Sequence, residues 1–80
     1  MVNLLKHGVS FEEAVTALDD PLALTYADRD HSLAEARNIT LGISGKGRTL
    51  VVGHTERGDA IRIISARVAS KWERKRYETG

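Results

Sequence analysis

The sequence predicts an α+β domain: a small antiparallel sheet of three or four strands, helices before it and one helix after it. Three observations point there. Ser10 with Glu13 and Ser70 with Glu73 repeat the spacing of a helix capping box at the two ends of the chain. Between them lie short segments in which apolar and polar residues alternate, the signature of half-buried strands. Gly45-Lys46-Gly47 and Arg57-Gly58-Asp59 separate these segments by tight turns. Connections that short join antiparallel neighbours and leave no room for the crossover helices of a parallel sheet.

Taken in order, Val2 to His7 read as the last turns of a helix capped by Gly8. Ser10 then opens a second helix, with Val9 and Ala14 as a weak hydrophobic staple. Phe11, Ala14, Val15 and Leu18 fall at i, i+3, i+4 and i+7, one face of that helix. Asp19-Asp20-Pro21 ends it, because the residue before proline is driven out of the helical region. Leu22, Leu24 and Tyr26 alternate as a strand, and residues 28–32 form a polar loop. Ile39, Leu41 and Ile43 alternate again, Thr49 to Glu56 form the next strand, and Ala60 to Ser65 complete the meander. Gly42, Gly45 and Gly47 are assigned to tight turns. Ser70 caps a closing helix over residues 71–78, which Trp72 is expected to anchor to the sheet.

Eighty residues make a single domain, 1–80, with a modest core for which a partner subunit would be a natural source of stability. There is no cysteine, which removes disulfides, thiol nucleophiles and zinc–thiolate sites and suits the cytoplasm. No apolar run approaches the length of a membrane span. Charge is divided unevenly. Residues 57–80 carry seven Lys/Arg against three acids, and residues 1–56 carry five against eight. The C-terminal third therefore suits a polyanion.

Within that third, Arg62 lies on the last strand and Arg67 just beyond it. Arginine offers a planar, permanently charged fork to phosphate oxygens. The odd separation of the two puts them on opposite faces of a regular strand, so they can share a site only if the chain turns or bulges between Ser65 and Arg67. Lys71, Arg74, Lys75 and Glu78 follow helical spacing, a solvated face that can also track RNA. His54 and Glu56 share one face of the preceding strand and are plausible proton-transfer groups near neutral pH, although an edge histidine and an ion-paired glutamate are the plainer readings. Tyr77 and Trp72 have rings able to stack on bases. His7, Asp28, Asp30 and His31 lack the spacing of a metal site, and no P-loop or dinucleotide fingerprint is present, so no cofactor is expected.

These residues carry a family resemblance. Lys6-His7-Gly8-Val9-Ser10-Phe11-Glu12-Glu13-Ala14, Asp20-Pro21, Asp30-His31-Ser32, Glu35 with Arg37, Leu41-Gly42, Arg57-Gly58-Asp59, Arg62-Ile63-Ile64-Ser65-Ala66-Arg67 and Glu73 with Tyr77 follow one another in the order and spacing of the BrnT family. That family resembles RelE-type ribonucleases in fold and supplies the toxins of bacterial type II toxin–antitoxin pairs. Its members usually begin with a short strand containing Phe-Glu-Trp-Asp and a helix leading into Lys6-His7-Gly8. Here the chain joins late in that helix, at Val2-Asn3-Leu4-Leu5, so the strand is expected to be missing and one sheet edge uncovered.

The resemblance implies metal-independent RNA cleavage, in which the 2′-hydroxyl attacks the adjacent phosphorus to leave a 2′,3′-cyclic phosphate and a 5′-hydroxyl. The roles this requires are assigned to Arg62 and Arg67 for phosphate charge and to His54 or Glu56 for the proton. Lys71, Arg74, Lys75 and Tyr77 hold RNA, with Lys71 or Tyr77 assisting the proton transfers. It also implies a BrnA-like antitoxin as partner, with a toxin homodimer inside a heterotetrameric complex, and no membrane association. The alternative from a different class is a non-enzymatic nucleic-acid-binding or antitoxin-binding subunit, although no helix-turn-helix supports DNA reading.

Overall fold

Ser10 fixes where the first helix begins, since its side chain accepts the Glu13 N–H at 3.0 Å while its own backbone stays extended. The computed structural model describes residues 8–28 and 36–80. In chain order it contains α1 (Phe11–Leu18), β1 (Leu24–Ala27), β2 (Asn38–Ile43), β3 (Thr49–Arg57), β4 (Ala60–Val68) and α2 (Lys71–Thr79). The strands form one antiparallel sheet in the order β1-β2-β3-β4. The architecture is the expected α+β one, with four strands, a helix before them and a helix after them. The helix expected over Val2 to His7 lies outside the described residues, as does most of the polar loop at 28–32.

Cross-strand partners point to the same face of a sheet, so the register sorts the side chains into two layers. Leu50, Val52, His54 and Glu56 of β3 share one face with Val68, Ala66, Ile63 and Ile61 of β4. Helix α1 packs here, and Val9, Ala14, Ala17, Leu50, Val52 and Ala66 form the buried core, with Leu18 and Ile63 against it. The opposite face carries Tyr26, Ile39, Gly53 and Ser65 in one row and Leu24, Leu41, Val51 and Arg67 in the next. Helix α2 returns along this second side to β2.

Three expectations about these elements need correction. The buried side of α1 is Glu13, Ala14 and Ala17, whereas Phe11 and Val15 are exposed. Glu13 turns inward because its carboxylate is met by Ser44 Oγ at 2.7 Å and by the Arg48 guanidinium, whose Nε donates at 2.9 Å. Those bonds also take the carboxylate away from the Ser10 backbone, leaving the reciprocal half of the first capping box unmade. Gly42 belongs to no turn. It sits inside β2, where a Cβ would lie 2.3 Å from the Ala17 carbonyl oxygen, so glycine is what lets α1 lie on the sheet. Trp72 does not pack into the sheet and is 69% exposed.

The turns and the final helix behave as read. Arg57 pairs with Ala60 around Gly58-Asp59, with Gly58 at φ 59°, a left-handed conformation that glycine adopts freely. At α2 the capping box is complete: Ser70 Oγ accepts the Glu73 N–H at 3.2 Å, and Glu73 accepts the Ser70 N–H at 2.9 Å.

Candidate functional site

Arg62 and Arg67 stand an odd number of residues apart, yet the structure puts them on one face. The β3–β4 register shifts between Gly53 and His54, which pair with Ser65 and Ile63 and leave Ile64 as an extra residue in β4. Arg62 then pairs with Thr55 and Arg67 with Val51, two β3 residues of the same parity. The irregularity is thus at Ile64, one step earlier than the sequence suggested, and it has the required effect. Four β3 positions separate the two partners, so the two arginine backbones are about 13 Å apart along the ladder.

Their surroundings differ. Arg62 is exposed. Arg67 is clamped by Glu73 through two parallel bonds of 2.7 Å each, Nη1 to Oε1 and Nη2 to Oε2. That fork holds the Glu73 carboxyl down at about 2 and raises Arg67 further above its already high value. Glu73 therefore does two jobs: it caps α2 and occupies the guanidinium that a phosphate would use.

The four catalytic candidates are divided by the sheet. His54 and Glu56 point to the α1 side, away from Arg62 and Arg67. His54 is 2% exposed, and its Nε2 is 2.8 Å from Thr40 Oγ1, which continues to Thr25 Oγ1 at 2.7 Å. Burial pushes its pKa down, with Glu56 as a weaker opposing influence. A neutral imidazole fixed in a hydroxyl chain is a packing group and offers RNA no accessible atom. Glu56 is exposed, one ladder step from the Thr55–Arg62 pair, at the end of β3 next to the two-residue turn.

The cationic face of α2 is as the spacing requires. Lys71, Arg74, Lys75 and Glu78 line an open groove of about 510 Å³. A second cleft, about 300 Å³, lies between Gly47, Arg48, Thr49, Val68, Ala69 and Arg74. Tyr77 faces inward instead. Its hydroxyl donates to Asp20 Oδ2, an oxygen that also accepts the Ile43 N–H at 2.9 Å, while Asp20 Oδ1 accepts the Leu22 N–H at 3.0 Å. The bond to Asp20 pushes the Tyr77 pKa up to about 12 and, with the two backbone donors, keeps Asp20 ionised. Such a phenol is a latch for α2 and a poor acid near neutrality.

Sequence reasoning missed Asp20, Arg48 and Arg76. Asp20 was read as a helix stop and as part of the family pattern, and nothing local signals that Tyr77 reaches it from 57 residues away. Arg76 was one cation in a run, whereas its guanidinium carbon lies 5.3 Å from the Tyr26 ring centroid and 5.9 Å from that of Trp72.

Residues 1–73 match one family model, described as ribonuclease toxin, BrnT, of type II toxin–antitoxin system. The chain belongs to the BrnT family. It is accordingly a ribonuclease toxin of a type II toxin–antitoxin system, with RNA as substrate and an antitoxin as partner. No curated protein matches the chain. The BrnT match ends at Glu73, so most of α2 lies beyond it. Among the described residues, no group of three or more His, Cys, Asp or Glu side chains is placed to hold a metal ion, and no helix is long and apolar enough to cross a membrane.

Proposed function

We propose that this BrnT-family toxin cleaves RNA without a metal, by attack of the 2′-hydroxyl on the adjacent phosphorus, on the side of the sheet that carries Arg62 and Arg67. The observation that supports it is the register shift at Ile64, which gives both arginines one face despite their odd spacing. Arg62 grips the scissile phosphate and takes up the charge that develops there. Glu56 removes the 2′-hydroxyl proton. Its side chain starts on the other face, but it is exposed and one ladder step from the Thr55–Arg62 pair. As the new O2′–P bond forms, the P–O5′ bond breaks, and O5′ takes a proton from solvent.

Arg67 holds a neighbouring phosphate once that phosphate displaces Glu73. The chain of nucleotides then continues toward Lys71, Arg74 and Lys75. A BrnA-like antitoxin covers this same cationic side, with its acidic groups speeding encounter and its apolar groups giving the lasting hold. The complex contains a toxin homodimer within a heterotetramer, and the protein works in the cytoplasm.

Cleavage of purified RNA in the presence of a chelator tests the reaction. The expected products carry 2′,3′-cyclic phosphate and 5′-hydroxyl ends. Arg62→Ala should lower kcat/KM by about one to three orders of magnitude, mainly through kcat. Arg67→Ala should act mainly through KM. Loss of cleavage on chelation, or unchanged rates in both variants with folding verified, would contradict the proposal.

A further inference from the structure

Among the described residues, Trp72 is one of the large apolar side chains that the fold leaves exposed. Its position on α2 would allow it to pack inward, yet it is 69% exposed, and Tyr77 and Glu73 do the anchoring on either side of it. The indole is nonetheless ordered by its neighbours. Arg76, one helical turn on, has its guanidinium between the Trp72 and Tyr26 rings, 5.9 and 5.3 Å from their centroids. The Arg76 guanidinium meets the indole, and most of the ring remains open to solvent. Lys71, Arg74 and Lys75 lie on the same helix and, with Glu78, line an open groove.

We infer that Trp72 is a stacking platform for an unpaired RNA base, built as a ladder of Tyr26, Arg76 and Trp72 to which the base adds the next layer. The inference rests on the ribonuclease reading and names a subsite of it that lies away from the scissile phosphate. The chemistry fits a single-stranded nucleic acid. A base needs a flat, polarisable surface with cations nearby for the phosphates that flank it, and every base has a π face to offer. The Arg76 cation behind the indole draws electron density from the ring and suits it to an electron-rich base. Helix α2 has no buried residue and is charged along most of its surface, which favours a polyanion beside the indole.

Trp72 is the only tryptophan in the sequence, so its emission reports this one site. The probe is a single-stranded 2′-O-methyl oligonucleotide of about ten nucleotides, within the usual range for one binding surface. Its blocked 2′-oxygens cannot attack. The comparison is an abasic phosphate chain of equal length. The base-bearing probe should quench Trp72 emission and bind, while the abasic chain should bind more weakly and leave emission unchanged. Trp72→Ala should weaken binding of the base-bearing probe by about tenfold to a hundredfold and erase the difference between the two probes. Trp72→Phe, which keeps a ring, should restore most of the affinity. The exposed position predicts that both variants keep the wild-type unfolding midpoint.

Equal binding of both probes, or a Trp72→Ala variant that binds as the wild type does, would overturn the inference. So would emission that responds to the antitoxin and never to the oligonucleotide. Quenching without any cleavage of unmodified RNA would uphold the platform and refute the ribonuclease proposal. Cleavage without quenching would do the reverse.

Discussion

The two helices of this toxin have nearly the same length and opposite uses. Helix α1 has three inward residues fully packed, an ion pair to the β2–β3 turn, and a glycine beneath it that tolerates no added carbon. Helix α2 buries no residue and is held by Arg67 to Glu73 near its start, and by Arg76 over Tyr26 and Tyr77 to Asp20 near its end. One helix completes the core on the first side of the sheet. The other spreads cations over the second side and remains displaceable. A small domain can combine a marginal core with a strongly charged binding surface only by such a division, because charges gathered on the packed side would have to be desolvated.

The division can be broken from the α1 side with the largest effect. Gly42→Ala pushes a methyl group to within 2.3 Å of the Ala17 backbone oxygen, and backbone does not swing aside as a side chain does. It should lower stability by about 1–3 kcal/mol or more, measured by urea unfolding. RNA affinity per folded molecule should stay as it was. Lost affinity at unchanged stability would show that the two sides are not separable.

A smaller loss is expected for Glu13→Gln, about 1–3 kcal/mol, because Arg48 keeps its charge and loses its carboxylate. The effect should depend on pH with a definite sign. Glu13 and Glu73 both sit at about 2 in the folded protein against a usual 4.5, through their bonds to Arg48 and Arg67. The unfolded chain therefore takes up more protons than the folded one as pH falls through that window. The stability these groups contribute is complete above 4.5 and disappears between 4.5 and 2. The wild type should show a steep acid transition there, and Glu13→Gln a shallower one.

On the α2 side the smallest effect is informative. Glu73→Gln keeps a capping oxygen for the Ser70 N–H but withdraws the carboxylate that competes for Arg67. Affinity for a single-stranded oligonucleotide should rise by about two- to fivefold, a change of well under 1.4 kcal/mol. The unfolding midpoint should fall less than in Glu13→Gln, because Glu73 is the more exposed carboxylate of the two. Weaker binding would mean that Glu73 orients Arg67 for RNA instead of occupying it.

Much of this division was legible in the sequence, and the places where it was not have physical reasons. The Ser10 and Ser70 caps, the alternating strands and the Gly58-Asp59 turn are local signals, and the fold follows them. The cationic face at 71, 74, 75 and 78 is also local, since helical spacing alone decides it. What failed depended on residues distant in the chain. Phe11 and Val15 looked inward by periodicity until the Glu13–Arg48 pair, 35 residues apart, turned the helix toward its alanines. His54 was offered as a proton-transfer group beside the plainer reading of a packed histidine, and the α1 layer and Thr40 enclose it as the plainer reading had it. Trp72 looked like an anchor because indoles usually bury, and Tyr77 took that place by reaching Asp20. Arg62 and Arg67 depended on one extra residue, Ile64, which no alternation pattern announces.

The central claim is that the α2 side binds RNA while contributing little to folding. It is tested most directly by reversing Lys71, Arg74 and Lys75 to Glu together and measuring oligonucleotide affinity across a salt series alongside urea unfolding. The account predicts a loss of affinity of at least about a hundredfold at low salt and a shallower salt dependence, near 0.7 less in slope for each phosphate contact removed. The unfolding midpoint should stay close to that of the wild type. An unchanged affinity and salt slope in a folded variant would contradict it, and so would a protein that no longer folds.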